Sequence, residues 1–326
     1  MIRNLLCRAL FAGAVLASVG AAFAQPAKYP SRPVTVINPY PAGGGSDLVA
    51  RVLQNRLAQL LGEPVVVDSK PGASGGIGSE MVARANPDGH TLLVNNSTLV
   101  INEALGGPQR FEVQRDLVPI AGVASVPVAL AVNSQLPFKS LQDLVAHARE
   151  NQGKVAWSSC GNGSPQHLIG LRFAQALKLS MIHVPYKGCA PAIMDGVSNA
   201  VPVLFTTVQN ADAQVKAGKL RLLAVGGQER FPGAPDVPTF GEALGLKDFD
   251  AEVWFAFFAP KGTPPAIVSQ LERHIATALG DKDIQKAYID RQMSPQLLRS
   301  QQLAQRVASN LEQFRQMKAQ FDLKLE

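Results

Sequence analysis

Short apolar runs alternate along this chain with stretches whose apolar residues recur every three or four positions. Residues 33–39, with Val34, Val36 and Ile37 apolar, predict a first strand. Leu48, Val49, Val52, Leu53, Leu57 and Leu60 then follow helical spacing; Ser46 or Asp47 can cap that helix and Gly62 can end it. Residues 64–67 read as a second strand and 79–85 as a short helix halted by the turn Asn86-Pro87-Asp88-Gly89. Residues 91–94 form a third strand that runs into Asn95-Asn96-Ser97-Thr98.

The apolar stretch 118–132 predicts a long strand passing between two lobes. Ser140 and Asp143 make a capping-box pattern for a helix over Leu141–Glu150. Strands at 155–158, 182–186, 201–205 and Leu220–Val225, with helices from Pro165 and from Pro191, form a second strand–helix set. Residues 253–258 read as a second passing strand, and the chain ends in helices at 266–279, 284–291 and 301–321. This alternation predicts an α/β fold with largely parallel sheets, whose ligands sit beyond the carboxyl ends of the strands. A middle segment between two crossings implies two α/β lobes joined by two hinge strands, a clamp around a cleft. The expected division is 25–125 and 254–326 for lobe 1, and 126–253 for lobe 2.

The amino terminus departs from this pattern. Arg3 and Arg8 precede an apolar run over 9–19, and the segment closes on Ala22-Phe23-Ala24. Residues 1–24 therefore read as a cleaved signal peptide, too short to span a membrane, and predict export to the periplasm. Its loss lowers the formal net charge from +6 to +4. The remaining basic residues are spread along the chain, which argues against nucleic acid as a partner. Five isolated histidines supply no metal-site spacing, and no cofactor is expected. Cys160 and Cys189 remain in the exported chain, both at predicted strand ends beside glycines in one lobe. An oxidising compartment allows a disulfide between them; two buried thiols are the alternative.

Glycine loops that join a strand to a helix leave backbone N–H groups facing outward, and the helix dipole adds positive potential. Such loops occur in both lobes, at Gly43-Gly44-Gly45-Ser46-Asp47 and at Gly161-Asn162-Gly163-Ser164. Facing each other across a hinge, they would hold both ends of a dicarboxylate or one end of a monocarboxylate; the plain alternative is a pair of tight turns. Tyr40 can form a wall of the cleft, and His167 can either donate to a bound carboxylate or cap its own loop. Gly72-Ala73-Ser74-Gly75-Gly76 matches a nucleophile elbow, so a serine hydrolase using Ser74 is the rival reading. Neither loop carries the G-K-[ST] of a nucleotide site.

Several strings resemble the Bug-type receptors, the substrate-binding proteins of tripartite tricarboxylate transporters. They include Tyr40-Pro41-Ala42-Gly43-Gly44-Gly45-Ser46-Asp47, Lys70-Pro71-Gly72-Ala73-Ser74-Gly75-Gly76-Ile77-Gly78 and Asn86-Pro87-Asp88-Gly89-His90-Thr91-Leu92-Leu93. Gly161-Asn162-Gly163-Ser164-Pro165-Gln166-His167-Leu168, His183-Val184-Pro185-Tyr186-Lys187-Gly188 and Pro235-Asp236-Val237-Pro238-Thr239 continue the likeness in order. The resemblance implies a periplasmic binding protein of type II-like fold, acting as a monomer and not as an enzyme. It implies a small organic carboxylate held by the loop of Tyr40, Ala42, Gly43, Gly44, Ser46 and Asp47 and by the loop of Gly161, Asn162, Ser164 and His167, with Ser97 and Thr98 contributing. The cargo would pass to membrane transporter subunits or be reported to a sensor kinase. Where many relatives read Phe-Asp-Asn, this chain has Phe205-Thr206-Thr207. Losing an acid that can pair with an ammonium argues against an α-amino acid, and places Thr206 among the expected ligand contacts.

Overall fold

The computed structural model describes residues 29–107, 109–246, 249 and 251–323. The proposed signal peptide lies outside the described residues. Lobe 1 opens with β1 (Val34–Asn38), α1 (Gly45–Leu61), β2 (Val65–Ser69), α2 (Gly76–Ala83), β3 (Thr91–Asn96) and α3 (Thr98–Leu105). The four-residue turn α4 (Val113–Asp116) leads into β4 (Leu117–Asn133). Lobe 2 follows as α5 (Leu141–Glu150), β5 (Ala156–Ser159), α6 (Pro165–Ala176), β6 (Ile182–Pro185), α7 (Cys189–Ser198), β7 (Val203–Thr207), α8 (Val208–Lys216), β8 (Leu220–Val225) and α9 (Phe240–Leu244). The chain returns through β9 (Glu252–Pro260), α10 (Pro265–Leu279), α11 (Lys282–Ile289), β10 (Ser294–Arg299) and α12 (Ser300–Phe321).

The strand order β2-β1-β3-β9-β4-β7-β5-β6 explains how two lobes share one sheet path. β1, β2 and β3 are parallel, as are β5, β6 and β7, and each trio stands outside the antiparallel pair it joins. β4 belongs to both halves. Its residues 117–127 pair with β9, while 128–133 pair with β7 and β8. At the change of partner the Val128 N–H donates to Ala251 O and the Gly226 N–H donates to Val128 O, each at 2.8 Å. A Cβ on Gly226 would run into Ala251 O, so the crossing point needs glycine. β9, expected to pass between the lobes, instead starts at the crossing and pairs only with β3 and with the first part of β4.

The apolar patterns explain the packing. β4 is buried from Ile120 to Asn133 because elements cover both its faces, which is why it reads as a continuous apolar run. α12 presents Leu303, Val307, Leu311, Phe314 and Met317 at three- and four-residue spacing to α3, Trp254 and Phe258. Trp254 meets the cost of burying its indole N–H by donating to Asn310 Oδ1 at 2.9 Å. The predicted capping box at Ser140 and Asp143 is present. Several boundaries moved, three of them near the glycine loops. α1 starts at Gly45 on Gly44, without a side-chain cap from Ser46 or Asp47. α2 starts at Gly76, after a turn of 3-10 helix at Ala73–Gly75, and α7 starts at Cys189. The helices α3, α4, α8 and α9 and the strand β10 have no counterpart in the sequence reading.

Candidate functional site

The carboxyl ends of β1, β3 and β7 and the first turns of α1, α6 and α8 surround a cleft of about 350 Å³ between the lobes. Lobe 1 supplies Tyr40, Gly44, Gly45, Ser46, Asn96 and Thr98; lobe 2 supplies Pro165, Gln166, Thr207, Gln209 and Asn210. Val126, Val253 and Phe255, from the strands at the crossing, form an apolar floor. None of the residues lining the cleft is charged.

In lobe 1 the loop after β1 is shaped from below. Gly43 has φ 84°, and its N–H donates to Asp47 Oδ2 at 2.9 Å. Arg51 Nε donates to the same oxygen at 2.9 Å. Burial pushes the Asp47 carboxyl up, but the hydrogen bonds from Arg51 and Gly43 outweigh it and hold the acid below its ordinary range. Asp47 is thus an ionised brace beneath the loop, and its Oδ1 is buried without a partner among the described residues. Among the described residues, nothing accepts from the N–H groups of Gly45, Ser46 and Asp47. Gly45 is required by packing, since a Cβ there would lie 2.8 Å from Phe255 Cζ. Ser46 is 2% exposed, and its Oγ accepts from Asn96 Nδ2 at 3.3 Å, leaving the hydroxyl proton without an acceptor. Asn96 Oδ1 also accepts from the Thr98 N–H at 2.8 Å. Tyr40 OH donates to Asn95 Oδ1 at 3.0 Å; burial raises its pKa despite hydrogen bonds with Thr98 and Asn96, so the phenol stays protonated.

Lobe 2 has the same plan with a different finish. The Gly161 N–H donates to Ser159 Oγ at 3.2 Å, the Ser164 N–H to Gly161 O at 3.1 Å and the Gly163 N–H to His167 Nδ1 at 3.1 Å. Ser164 Oγ accepts from the His167 N–H at 3.2 Å and caps α6. His167 stacks on His183 with ring centroids 4.0 Å apart, and His183 Nε2 lies 2.8 Å from Ser159 Oγ. Burial, with His183 beside it, pushes His167 down to about 3; burial pushes His183 down to about 4. Both imidazoles are neutral at pH 7 and act as scaffold. A disulfide joins Cys160 to Cys189, with Cα atoms 4.2 Å apart, and ties the β5–α6 loop to the start of α7. Thr207 Oγ1 caps α8 by accepting from the Asn210 N–H at 3.2 Å.

Of the residues expected from the sequence, Tyr40, Gly44, Ser46 and Thr98 line the cleft. Ala42, Gly43 and Asp47 shape the loop behind it. Gly161, Asn162, Ser164 and His167 do not line it, and His167 caps its own loop, the second of its two expected roles. Ser97 is turned to the contact with α6 and α12, where its Oγ is buried without a partner among the described residues. Thr206 does not line the cleft either. Strand side chains alternate, so Thr206 pairs across from Ala129 with a buried, unpartnered Oγ1, and Thr207 reaches the cleft. Gln166, Gln209, Asn210 and Phe255 were missed. The signal for the first three was Thr207 followed by a polar helical turn, and Pro165 at a helix start. Ser74, the rival nucleophile, is exposed in a strained turn at φ 52°; its carbonyl accepts from Asn102 Nδ2, and no histidine contacts it among the described residues.

The family model described as "Tripartite tricarboxylate transporter family receptor" matches residues 49–323. BugT of Bordetella pertussis is 37% identical over 269 residues, covering 82% of this chain and 82% of that protein. The structure of MatC from Rhodopseudomonas palustris with bound malate is 31% identical and superimposes with a TM-score of 0.69, covering 88% of this chain and 99% of that one. The R. palustris protein Rpa4515 with adipate gives a TM-score of 0.75 at 28% identity, covering 91% and 99%.

Proposed function

This chain belongs to the tripartite tricarboxylate transporter receptor family, and from that premise we propose that it captures a small organic carboxylate other than an α-amino acid between its two lobes. The family is one of periplasmic solute-binding receptors and not of enzymes, so the bound molecule leaves unchanged. Residues 1–24 would direct export, and the loaded receptor, a monomer, would meet the membrane subunits of a transporter or a sensor.

The observation that carries this reading is the bare first turn of α1. The N–H groups of Gly45 and Ser46 and the Ser46 hydroxyl face a cleft without a single charged side chain. Oriented backbone donors at a helix start favour an anion without needing a cation, and two or three such bonds suffice to hold a carboxylate. Malate in MatC and adipate in Rpa4515 support the same ligand class. No carboxylate lines the cleft to pair with an ammonium, which disfavours α-amino acids.

The test is thermal unfolding of the exported chain, refolded to remove carried ligand, against a panel of carboxylates. A ligand at a thousandfold over Kd stabilises by about 4 kcal/mol and raises the midpoint by several degrees. Stabilisation by aspartate or glutamate would remove the exclusion of amino acids. A folded protein that responds to no carboxylate would overturn the reading as a whole.

A further inference from the structure

One side chain of lobe 2 is seated in the core of lobe 1. Leu168, on α6, is fully buried and belongs to the apolar cluster that α3, Trp254, Phe258 and α12 form. Among the described residues it is the only buried member of that cluster that lobe 2 supplies, with Leu171 packed beside the cluster and partly buried. The seat is reached by one face of α6. Pro165, Leu168, Arg172 and Gln175 recur at three- and four-residue spacing, which places them on a single stripe of the helix. Pro165, Leu168 and Arg172 meet Ser97, Ile101 and Phe314 of lobe 1 around a cavity of about 20 Å³. At the far end of the stripe Gln175 Nε2 donates to Gln320 Oε1 of α12 at 3.0 Å. Pro165 also lines the ligand cleft, so the stripe begins at the cleft and runs away from it. The turn between β3 and α3 is shared in the same way: Asn96 and Thr98 line the cleft, while Ser97 faces α6.

We infer that Leu168 is a latch between the lobes: it leaves lobe 1 when the clamp opens, reseats when the clamp closes, and so helps to hold a ligand that it never touches. The inference rests on the reading above of a cleft that closes over its ligand. The first turns of α1 and α6 face each other across that cleft. Parting them to admit a ligand carries Pro165, and Leu168 one turn further on, away from lobe 1. Opening then exposes a leucine and leaves a hole beside Ile101 and Phe314, which favours the closed state. Closure is part of binding, so a weaker latch lowers affinity while every contact in the cleft stays as it was. The turn Asn96-Ser97-Thr98, with one side in the cleft and the other against α6, couples the two events.

Two measurements test this, the first without any ligand. Cys160 and Cys189 are joined, so a cysteine introduced into the exported chain is its only thiol. In the ligand-free chain Leu168→Cys should react with a maleimide at least about tenfold faster than Leu311→Cys, a position also buried in that cluster, once each rate is divided by the variant's own rate of global unfolding. Equal rates would mean that Leu168 leaves its seat only when the protein unfolds, and would overturn the latch. The second measurement is isothermal titration with malate and with adipate. Leu168→Ala should weaken binding of either acid by about tenfold, and Leu168→Met, of similar volume, should keep it within about twofold. A Leu168→Ala protein that is less stable but binds as tightly would make Leu168 a packing residue and also overturn the latch. Binding of neither acid to the unaltered chain would count against the carboxylate reading, and the labelling contrast would still decide the latch.

Discussion

The starts of α1 and α6 occupy equivalent places, each after a glycine loop that follows a parallel strand, and they are finished in opposite ways. α1 begins on Gly44, which has no side chain to spend on the helix, and its first N–H groups are open. α6 begins on Ser164, which caps it, with proline at the first position and a histidine nitrogen taking the Gly163 N–H, so that of its first turn only the Gln166 N–H is open among the described residues. Glycine content is therefore a poor guide to anion binding. What separates a site from a turn is whether the loop's own donors have been used, and that is decided by the residues at the cap and three or four positions beyond it.

If the lobe 2 loop is scaffold, its staples matter for stability before they matter for ligand. The largest effect is expected from replacing Cys160 and Cys189 together by serine. The bond closes a separation of 29 residues, for which chain entropy predicts a loss of about 3 to 4 kcal/mol, read by chemical denaturation. Affinity for a carboxylate should fall far less than stability does. An affinity loss that matches the stability loss would mean that the lobe 2 loop is itself a binding pole.

The reverse is expected in lobe 1. Gly45→Val places a branched side chain where Phe255 Cζ would be 2.8 Å from Cβ, so either the ring or the first turn of α1 must move. Binding should weaken by about a hundredfold, about 2.7 kcal/mol, in a protein whose circular dichroism is unchanged. Retained binding would separate the α1 amides from the ligand.

Acid should also tell the loops apart. The folded-state values of His167 and His183 are lowered, so the unfolded chain takes up more protons than the folded one once pH falls below about 6.5. Stability should then be flat above that pH and decline toward pH 4, by at most about 1.4 kcal/mol per unit for each imidazole and less for the partly exposed His183. Asp47 has a lowered value, so its contribution is present above the ordinary carboxylate pKa and is lost only at lower pH. Between pH 6.5 and about 4 the lobe 2 loop should respond and the α1 loop should not; His274 on α10, held low by burial and by Arg273, adds to the same decline. His167→Asn, whose Oδ1 can still accept from the Gly163 N–H, should flatten the slope; an unchanged slope would clear the histidine pair of any part in it.

Much of this contrast could be read from sequence up to the point where a cap is chosen. The parallel strands, the long shared strand and the helix over Leu141–Glu150 follow directly from apolar period and the capping box, because those signals are local. The start of α1 was misjudged because Ser46 and Asp47 are better caps than Gly44 in general, and only the contact with Phe255 shows why glycine begins the helix. Thr206 is expected because it stands where many relatives have the acid of Phe-Asp-Asn, but side chains alternate along β7, so Thr207 and not Thr206 reaches the cleft. α8 went unseen because Val208 and Ala211 are its only buried residues, too few for an apolar stripe.

The finest test converts one loop into the other. Gly44 has φ −75° and ψ 172°, a conformation serine adopts freely at a helix cap, and the nearest atom to a Cβ there is Pro41 O at 3.4 Å. Gly44→Ser should let the hydroxyl accept from the Ser46 or Asp47 N–H, as Ser164 does from His167 in lobe 2. Serine exceeds glycine at this position by only a few tenths of a kcal/mol, so the gain in the absence of ligand is small. The same bond occupies a donor at the carboxylate position, so affinity should drop by about threefold while the unfolding midpoint without ligand rises slightly. Ser164→Gly provides the mirror experiment: a slight loss of stability with carboxylate affinity held. Stability and affinity moving in opposite directions in lobe 1, and only stability moving in lobe 2, is the signature of one loop kept open for a ligand and one closed on itself. Parallel movement in both variants would show that the caps set how firmly each lobe is built and nothing about where the charge is held.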